Sequence, residues 1–396
     1  MTAAAAPRAC RVGRLRLFQF RNYSAETVEL GPGLNVISGR NAQGKTNLLE
    51  GLATLALTRS PRTGAPLDLI RWGETQCRVE ATVHRPDGTT VLEMRLVRSD
   101  DGHAVRTTSA DGKPRAARAL LGVCPVVLFG PDDLLLVKGG PEARRRLLDV
   151  LLSQLDPVVA TELVRYRRAL EQRNAVLRQR RAGTAAGDAL AGFTRELVRS
   201  GSIVRVARAR LVERLRPLAG IALGELSGGG DQLELRYLGA GGEVTVADNE
   251  DEAAAAFAGE LTRTAIDEAA RGLTLAGPHR DDVEILVGGR PARASASQGQ
   301  QRSAVLACKL AEVRHLTTVT GTTPVLLLDD VLSELDVPRR RQLLDSLLGG
   351  AACQALLTTA EEAPSGLPST ADVHRFTVVG GRVGAVAAVT AGGTAA

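Results

Sequence analysis

Apolar and polar residues alternate in some stretches of this chain and recur every three or four residues in others, and these two periods divide it. Residues 11–23 alternate through Arg14-Leu15-Arg16-Leu17-Phe18-Gln19-Phe20, which predicts an edge strand followed by the loop Arg21-Asn22-Tyr23. Leu34-Asn35-Val36-Ile37-Ser38 reads as a strand and 47–57 as an apolar helix. Residues 77–84 and 90–98 alternate on either side of Pro86-Asp87-Gly88, a hairpin signal. The mostly apolar run 123–129 has the character of a buried strand and ends at Gly130-Pro131-Asp132-Asp133.

From about residue 141 the period changes to that of long, arginine-rich helix. Leu163, Tyr166, Leu170 and Leu177 keep the helical spacing, and Phe193, Leu197, Val204, Leu211 and Leu215 keep it again beyond the small-residue turn 182–187. Two such helices back to back form an antiparallel hairpin, an arm projecting about 40 Å at about 1.5 Å per residue. Gly228-Gly229-Gly230 breaks it, 232–246 is hairpin-like, and 251–271 is helical again. After residue 273 α/β character returns. Thr323-Pro324-Val325-Leu326-Leu327-Leu328-Asp329-Asp330 is an apolar strand ending in two carboxylates, 353–359 is another strand, and 376–383 is a strand pair around Gly380-Gly381. The low-complexity residues after 383 are expected to fray.

Composition narrows the class. A chain of 396 residues exceeds what one core usually holds, so two or three domains are expected. With 44% apolar and 24% charged residues it has an ordinary globular composition. A net charge of +6 and a pI of about 9.4 favour a polyanionic partner. All basic residues but Lys45, Lys113, Lys138 and Lys309 are arginine, which suits bidentate phosphate contacts but also follows from a GC-rich genome. Cys10, Cys77, Cys124, Cys308 and Cys353 have no C-x-x-C spacing, so neither a disulfide framework nor a zinc site is expected, and a reducing cytoplasm fits. Neither a secretory leader nor a run of the roughly 18 to 20 apolar residues that span a membrane is visible.

The chemistry centres on Gly39-Arg40-Asn41-Ala42-Gln43-Gly44-Lys45-Thr46, the full G-x-x-x-x-G-K-[ST] phosphate loop between a strand and a helix. The two glycines let the backbone turn its N–H groups toward phosphate oxygens, and the helix adds its positive end. Lys45 supplies a charge for the β- and γ-phosphates, and Thr46 offers a hydroxyl to Mg²⁺. Asp329 and Asp330 are the carboxylates such a loop needs: Asp329 to hold Mg²⁺, directly or through water, and Asp330 to orient or deprotonate the attacking water. These parts are further apart along the chain than a typical domain of about 50 to 250 residues, and they must come together around one ion. The expectation is a head split in sequence, with its two strands as neighbours in one sheet and an arm inserted between its halves. Ser297-Gln298-Gly299-Gln300-Gln301-Arg302 opens a further helix, where a hydroxyl and free N–H groups make a second phosphate surface. One chain has already engaged its own nucleotide through the loop, so Ser297, Gly299 and Gln300 make most sense closing on the nucleotide of a partner subunit.

The order of these motifs, ending in Ser333-Glu334-Leu335-Asp336, resembles the ABC-type ATPase heads of the SMC class, and most closely the RecF family of bacterial recombinational repair. The matching stretches are Phe20-Arg21-Asn22-Tyr23, the loop through Glu50, Pro131-Asp132-Asp133, Gly277-Pro278-His279-Arg280-Asp281-Asp282, Ala296-Ser297-Gln298-Gly299-Gln300-Gln301-Arg302-Ser303, and 328–336. The resemblance implies an α/β fold: an ABC-type P-loop ATPase head split in sequence with an inserted, mainly helical arm. The boundaries are 1–150 for the first half of the head, 151–272 for the arm, 273–385 for the second half and 386–396 for the tail. It further implies an ATP-driven homodimer with nucleotides sandwiched between one subunit's loop and the other's Ser297. It implies DNA binding at single-strand gaps or junctions, partnership with RecR and RecO, help in RecA loading, and support of replication and SOS induction. Gln298 stands where ABC signatures usually carry Gly, and Leu356-Leu357-Thr358-Thr359 lacks the usual switch histidine, so a slow, switch-like ATPase is expected.

On the arm, Arg165, Arg167, Arg168, Arg173, Arg178, Arg180 and Arg181 have few compensating acids, and Arg165, Arg168 and Arg173 are candidate DNA contacts. Aromatic residues are 3% of the chain, so binding should be driven by phosphates rather than base stacking. His279 and Arg280 fit either a nucleotide or DNA contact or a polar turn capping a strand. Arg59 and Arg62 read as a solvated turn near the nucleotide. The alternatives are an SMC-like head with another role in DNA maintenance, or a non-transport ABC ATPase. The arginine-rich arm argues against a transporter subunit, no C-x-x-C pair lies between residues 141 and 272 to make the hook of a nuclease-partnered head, and a small-molecule kinase would not explain Ser297-Gln298-Gly299-Gln300.

Overall fold

The computed structural model describes residues 8–184, 189–239, 242–244, 250–335, 337–348, 353–362, 364–367 and 372–386. It forms two compact units, one drawn from Met1–Asp132 and Leu316–Ala396 and the other from Asp133–His315. Among the described residues no helix is long and apolar enough to cross a membrane.

The first unit holds two six-stranded sheets. One is mainly parallel, in the order Arg382–Val386, Val373–Val379, Leu34–Ser38, Ala355–Thr359, Val325–Asp329, Val126–Phe129. Every residue of Leu34–Ser38 and Ala355–Thr359 is buried, the condition of strands covered on both faces, and this is why their sequences read as apolar runs rather than alternation. The strand leading into the phosphate loop and the strand ending at Asp329 share this sheet, but they are not the neighbours the sequence suggested. Ala355–Thr359 lies between them, pairing Thr358 with Ile37 on one side and with Asp329 on the other.

The other sheet is antiparallel, in the order Tyr23–Glu29, Arg11–Phe20, Gln76–Arg85, Gly88–Arg98, Ala104–Ala110, Lys113–Pro114. Its hairpin turns at Pro86-Asp87, as expected. Arg11–Phe20 is not an edge strand, because it pairs on both sides, with Tyr23–Glu29 and with Gln76–Arg85. Alternation reports one buried face, here Val12, Leu15, Leu17 and Phe20, and carries no information about strand neighbours.

The second unit is built on the helices Pro141–Leu155, Pro157–Arg181, Ala189–Ser227 and Glu250–Arg271. Asp156 accepts bonds from the N–H groups of Val158 and Val159, and Pro157 takes the first helical position, so a cap and a proline start the second helix one residue after the first ends. Pro157–Arg181 and Ala189–Ser227 pack along one another, as the paired apolar spacings suggested. Residues 185–188 of the expected turn lie outside the described residues, as do 240–241 and 245–246 of the expected hairpin, Asp336 and the tail beyond 386. Leu233–Gly239 and Asp282–Val287 pair antiparallel in this unit's sheet.

The unit boundaries differ from the expected 150/151 and 272/273, since 133–150 and 273–315 pack with the helices. Arg144 of Pro141–Leu155 grips Asp282 at 2.7 and 2.8 Å, and Arg208 of the long helix grips Asp149 at 2.8 Å. A composition shift marks where a helix begins, whereas these long-range ion pairs decide which unit it joins.

Candidate functional site

The phosphate loop is wound tightly enough that two of its positions need glycine. Gly39 sits at φ 147° and Gly44 at φ 116°, the region closed to most side chains. A Cβ on Gly39 would lie 2.5 Å from the Val378 carbonyl oxygen, and one on Gly44 2.5 Å from the Asn22 amide nitrogen. The loop is pinned from outside through its carbonyls. Gln43 O accepts from Asn22 Nδ2 at 2.9 Å and from the Gly381 N–H at 3.1 Å, while Gly44 O accepts from the Tyr23 hydroxyl at 2.9 Å. Gln43 Oε1 accepts from the Gly380 N–H at 2.7 Å. Asn22, Tyr23 and the terminal hairpin therefore hold the site; for Asn22 and Tyr23 the sequence signal was the Phe20-Arg21-Asn22-Tyr23 stretch, while for the hairpin the sequence marked the strand pair around Gly380-Gly381 but not its contact with the loop.

Lys45 opens the helix Lys45–Leu57 and is buried, its Nζ donating to the carbonyls of Gly39 at 2.6 Å and Arg40 at 2.9 Å. Burial lowers its ammonium pKa, and the carboxylates of Asp330 and Asp329 oppose that shift. Thr46 Oγ1 donates to Asp329 Oδ1 at 2.9 Å across 283 residues of sequence. Thr358 Oγ1 donates to the same oxygen at 2.7 Å and accepts from the Asp330 N–H at 3.0 Å. A lysine, a threonine and two carboxylates thus converge at the carboxyl ends of parallel strands, a place where anions and a hard cation can be held together. Thr358 had no sequence signal, since one hydroxyl at the end of an apolar strand looks like any other strand residue.

Beside the loop, Glu50 has a fully buried side chain that accepts from Arg21 Nε at 3.0 Å and Nη2 at 2.8 Å, from Arg62 Nη1 at 2.9 Å and from Ser60 Oγ at 2.6 Å. Arg62 also donates to Asn47 Oδ1 at 3.0 Å. The turn carrying Arg62 is therefore tied to the loop helix and is not merely solvated, because a buried carboxylate requires compensating donors.

Ser297, Gly299 and Gln300 belong to the second unit. Ser297 Oγ accepts from the Gln300 N–H at 3.2 Å, and Gln300 Oε1 accepts from the Ser297 N–H at 3.0 Å, a reciprocal capping box on the helix Gln298–Thr320. Gln300 Nε2 reaches Asp231 Oδ1 at 2.9 Å. The Gly277–Asp282 stretch is held within the same unit. Asp281 accepts from Arg205 at 2.8 and 2.9 Å and from the Tyr237 hydroxyl at 2.8 Å, and Arg208 donates to the Pro278 carbonyl at 2.7 Å. His279 Nε2 lies 3.1 Å from the Thr274 carbonyl, which can only accept, so that nitrogen carries the proton and Nδ1 accepts from the Tyr166 hydroxyl at 2.6 Å. Burial pushes the His279 pKa down to about 4. Of the two alternatives, His279 is part of a structural turn, with both ring nitrogens engaged within the fold.

The candidate DNA contacts separate. Arg165 and Arg168 are exposed on Pro157–Arg181, with Arg165 paired to Glu162 at 2.7 Å. Arg173 is not available: it is buried and donates to Glu268 at 2.6 Å, Thr274 at 2.7 Å and Thr194 at 3.0 Å. It faces into the helix packing, where an unpaired guanidinium would be too costly to bury.

Comparison with known proteins accords with this geometry. The AAA domain family model matches residues 14–113. A DNA replication and repair protein RecF from Symbiobacterium thermophilum is 42% identical over 349 residues, 88% of this chain and 91% of that protein. A RecF from Chloroflexus aurantiacus is 40% identical over 392 residues, 94% of this chain and 99% of that one. A solved structure of the recombination mediator protein RecF with ATP, from work on the RecFOR pathway, superposes with a TM-score of 0.86 at 30% identity, covering 97% of this chain and 100% of its own. An SMC head bound to the C-terminal winged-helix domain of ScpA matches at a TM-score of 0.53 and 15% identity over 95% of this chain and 96% of its own, a likeness of fold alone. The α/β fold is thus that of RecF and of SMC-type ATPase heads, and the chain belongs to the RecF family of DNA replication and repair proteins.

Proposed function

We propose that this chain is an ATP-dependent DNA-binding protein of recombinational repair and replication, in which ATP binding drives formation of a homodimer and hydrolysis resets it slowly. The observation that carries the reading is the meeting of Thr46 and Asp329 at 2.9 Å beside the buried Lys45. Residues 39–46 would receive the phosphates of ATP, as the RecF structure named with ATP suggests. The paired Thr46 hydroxyl and Asp329 carboxylate are hard oxygens of the kind Mg²⁺ takes along with phosphate oxygens and water. When bound, the ion would neutralise charge building on the β- and γ-phosphates. Asp330 orients the attacking water and Lys45 offsets phosphate charge. Ser297, Gly299 and Gln300 close on the nucleotide of the other subunit.

The protein then acts in the cytoplasm at single-strand gaps or junctions, with RecR and RecO, to help RecA loading, replication and SOS induction. The support is family membership, a net charge of +6 and the exposed Arg165 and Arg168. The test is sedimentation of wild type and Lys45→Met with and without ATP and Mg²⁺, followed by titration with gapped DNA. ATP should dimerise wild type alone and tighten its DNA binding. A wild type that stays monomeric with bound ATP would refute the switch, and turnover as fast as a motor ATPase would refute slow hydrolysis.

A further inference from the structure

Thr358 occupies the strand that separates the loop strand from the carboxylate strand. It is 1% exposed and follows Ala355-Leu356-Leu357, so its hydroxyl sits where an apolar side chain would ordinarily pack. A buried hydroxyl is kept only with partners, and here both partners are the carboxylate residues. A hydroxyl has one proton. Thr358 gives it to Asp329 Oδ1 and receives the Asp330 N–H on its lone pair, which fixes the rotor of its own side chain and the direction of the Asp329 carboxylate. Asp330 sits at φ 52°, ψ 26°, a left-handed conformation disfavoured for a residue with a Cβ, and its N–H bond to Thr358 helps to hold it there.

Thr46 donates to that same Asp329 oxygen. A cation would take a lone pair of the Thr46 oxygen and leave its proton free to stay on Asp329 Oδ1, so two threonine hydroxyls, Thr46 and Thr358, fix the direction of that carboxylate. Resting on the ATPase reading above, we propose that Thr358 is a positioning residue of the hydrolytic site. It aims Asp329 at the metal position and holds the Asp330 backbone in the turn from which its carboxylate meets the attacking water.

The test compares Thr358→Val, which keeps the shape and loses both bonds, with Thr358→Ser, which keeps the hydroxyl. Thr359→Val serves as a neighbouring control, since Thr359 Oγ1 accepts only from the Glu361 N–H among the bonds seen, at 3.0 Å. Thr358→Val should lower kcat about 100-fold, the scale of a misaimed group, while KM for ATP changes less than about threefold. Its Mg²⁺ requirement should rise about tenfold, the effect typical of losing an outer-shell partner of a metal ligand. Serine should restore both, and Thr359→Val should match wild type. Without nucleotide, hydrogen exchange at the Asp330 amide should be slow in wild type and the serine variant and fast in the valine variant. Unchanged kcat and unchanged exchange in Thr358→Val, or no rescue by serine, overturns the proposal. If the valine variant does not fold, Thr358→Ala carries the same expectations; if neither folds, the hydroxyl serves the fold and the proposal fails. If wild type turns over no ATP, the ATPase reading fails by itself, and the exchange measurement still decides whether Thr358 holds Asp330.

Discussion

Replacing Arg173 by Gln separates a structural arginine from a DNA-binding one. The guanidinium and the Glu268 carboxylate are 5% and 1% exposed, with Nη2 and Oε2 2.6 Å apart. Losing one partner of a buried pair costs about 3 to 5 kcal/mol, since the other charge stays buried and uncompensated. The lower end applies here, because Glu268 Oε1 still accepts from the Leu275 N–H at 2.8 Å and from Thr264 Oγ1 at 3.2 Å. The loss of bonds to Thr274 and Thr194 adds to it. A cost of about 3 kcal/mol lowers the melting temperature of a unit this size by roughly 6 to 12 °C. The measurement is the far-UV dichroism melt, dominated by the helices of the second unit, with Arg168→Gln as a surface control expected within about 0.5 kcal/mol of wild type. Arg173→Met combined with Glu268→Leu should recover most of the loss, because an apolar pair of similar volume avoids burying charge. If Arg173→Gln melts with wild type and instead weakens DNA binding at constant stability, Arg173 is exposed in solution and the ion pair is not part of the fold.

Other outcomes follow from the same geometry. His279 is depressed to about 4 by burial and ordinarily titrates near 6.5, so the unfolded chain binds the extra proton between those values and stability falls as pH drops through that window. The contribution between pH 7 and pH 5 is about 2 kcal/mol, and urea titrations of wild type against His279→Gln should differ in pH slope by that amount; equal slopes would contradict a buried neutral imidazole. Gly39→Ala puts a Cβ 2.5 Å from the Val378 carbonyl at φ 147°, and the strain, about 1 to 3 kcal/mol, should weaken binding of a fluorescent ATP analogue by about 5- to 150-fold; binding within twofold of wild type would show that the loop relaxes freely. DNA affinity should fall steeply with salt, and Arg168→Gln should reduce the log–log slope by about one without changing the melt. A flat salt dependence would rule out phosphate-driven binding.

Local chemistry was legible in the sequence because it is local. The phosphate loop, its strand and its helix are contiguous, and Gly39 and Gly44 are required by backbone torsions that neighbours cannot alter. The apolar run ending at Asp329-Asp330, the Pro86-Asp87 hairpin and the long helices follow from period and punctuation alone. The Ser297–Gln300 pair was legible as a helix start, and the structure shows it as a reciprocal cap. Arginine, by contrast, reads the same whether it lies in solvent or in the core. Arg165 and Arg173 share one helix and one residue type, yet only packing against Glu268 and Thr274 decided that the second is buried.

The sequence by itself therefore determined which elements form and where the glycine-rich loop and the strand-ending Asp329-Asp330 pair lie, because each of these depends on residues within a few positions of one another. Tertiary structure alone decided that Ala355–Thr359 lies between the loop strand and the carboxylate strand, that Thr358 couples Asp329 to Asp330, and that Asn22 and the Gly380-Gly381 hairpin brace the loop. Those contacts join residues far apart in sequence, and strand order is set by the burial of whole faces, which no local pattern encodes.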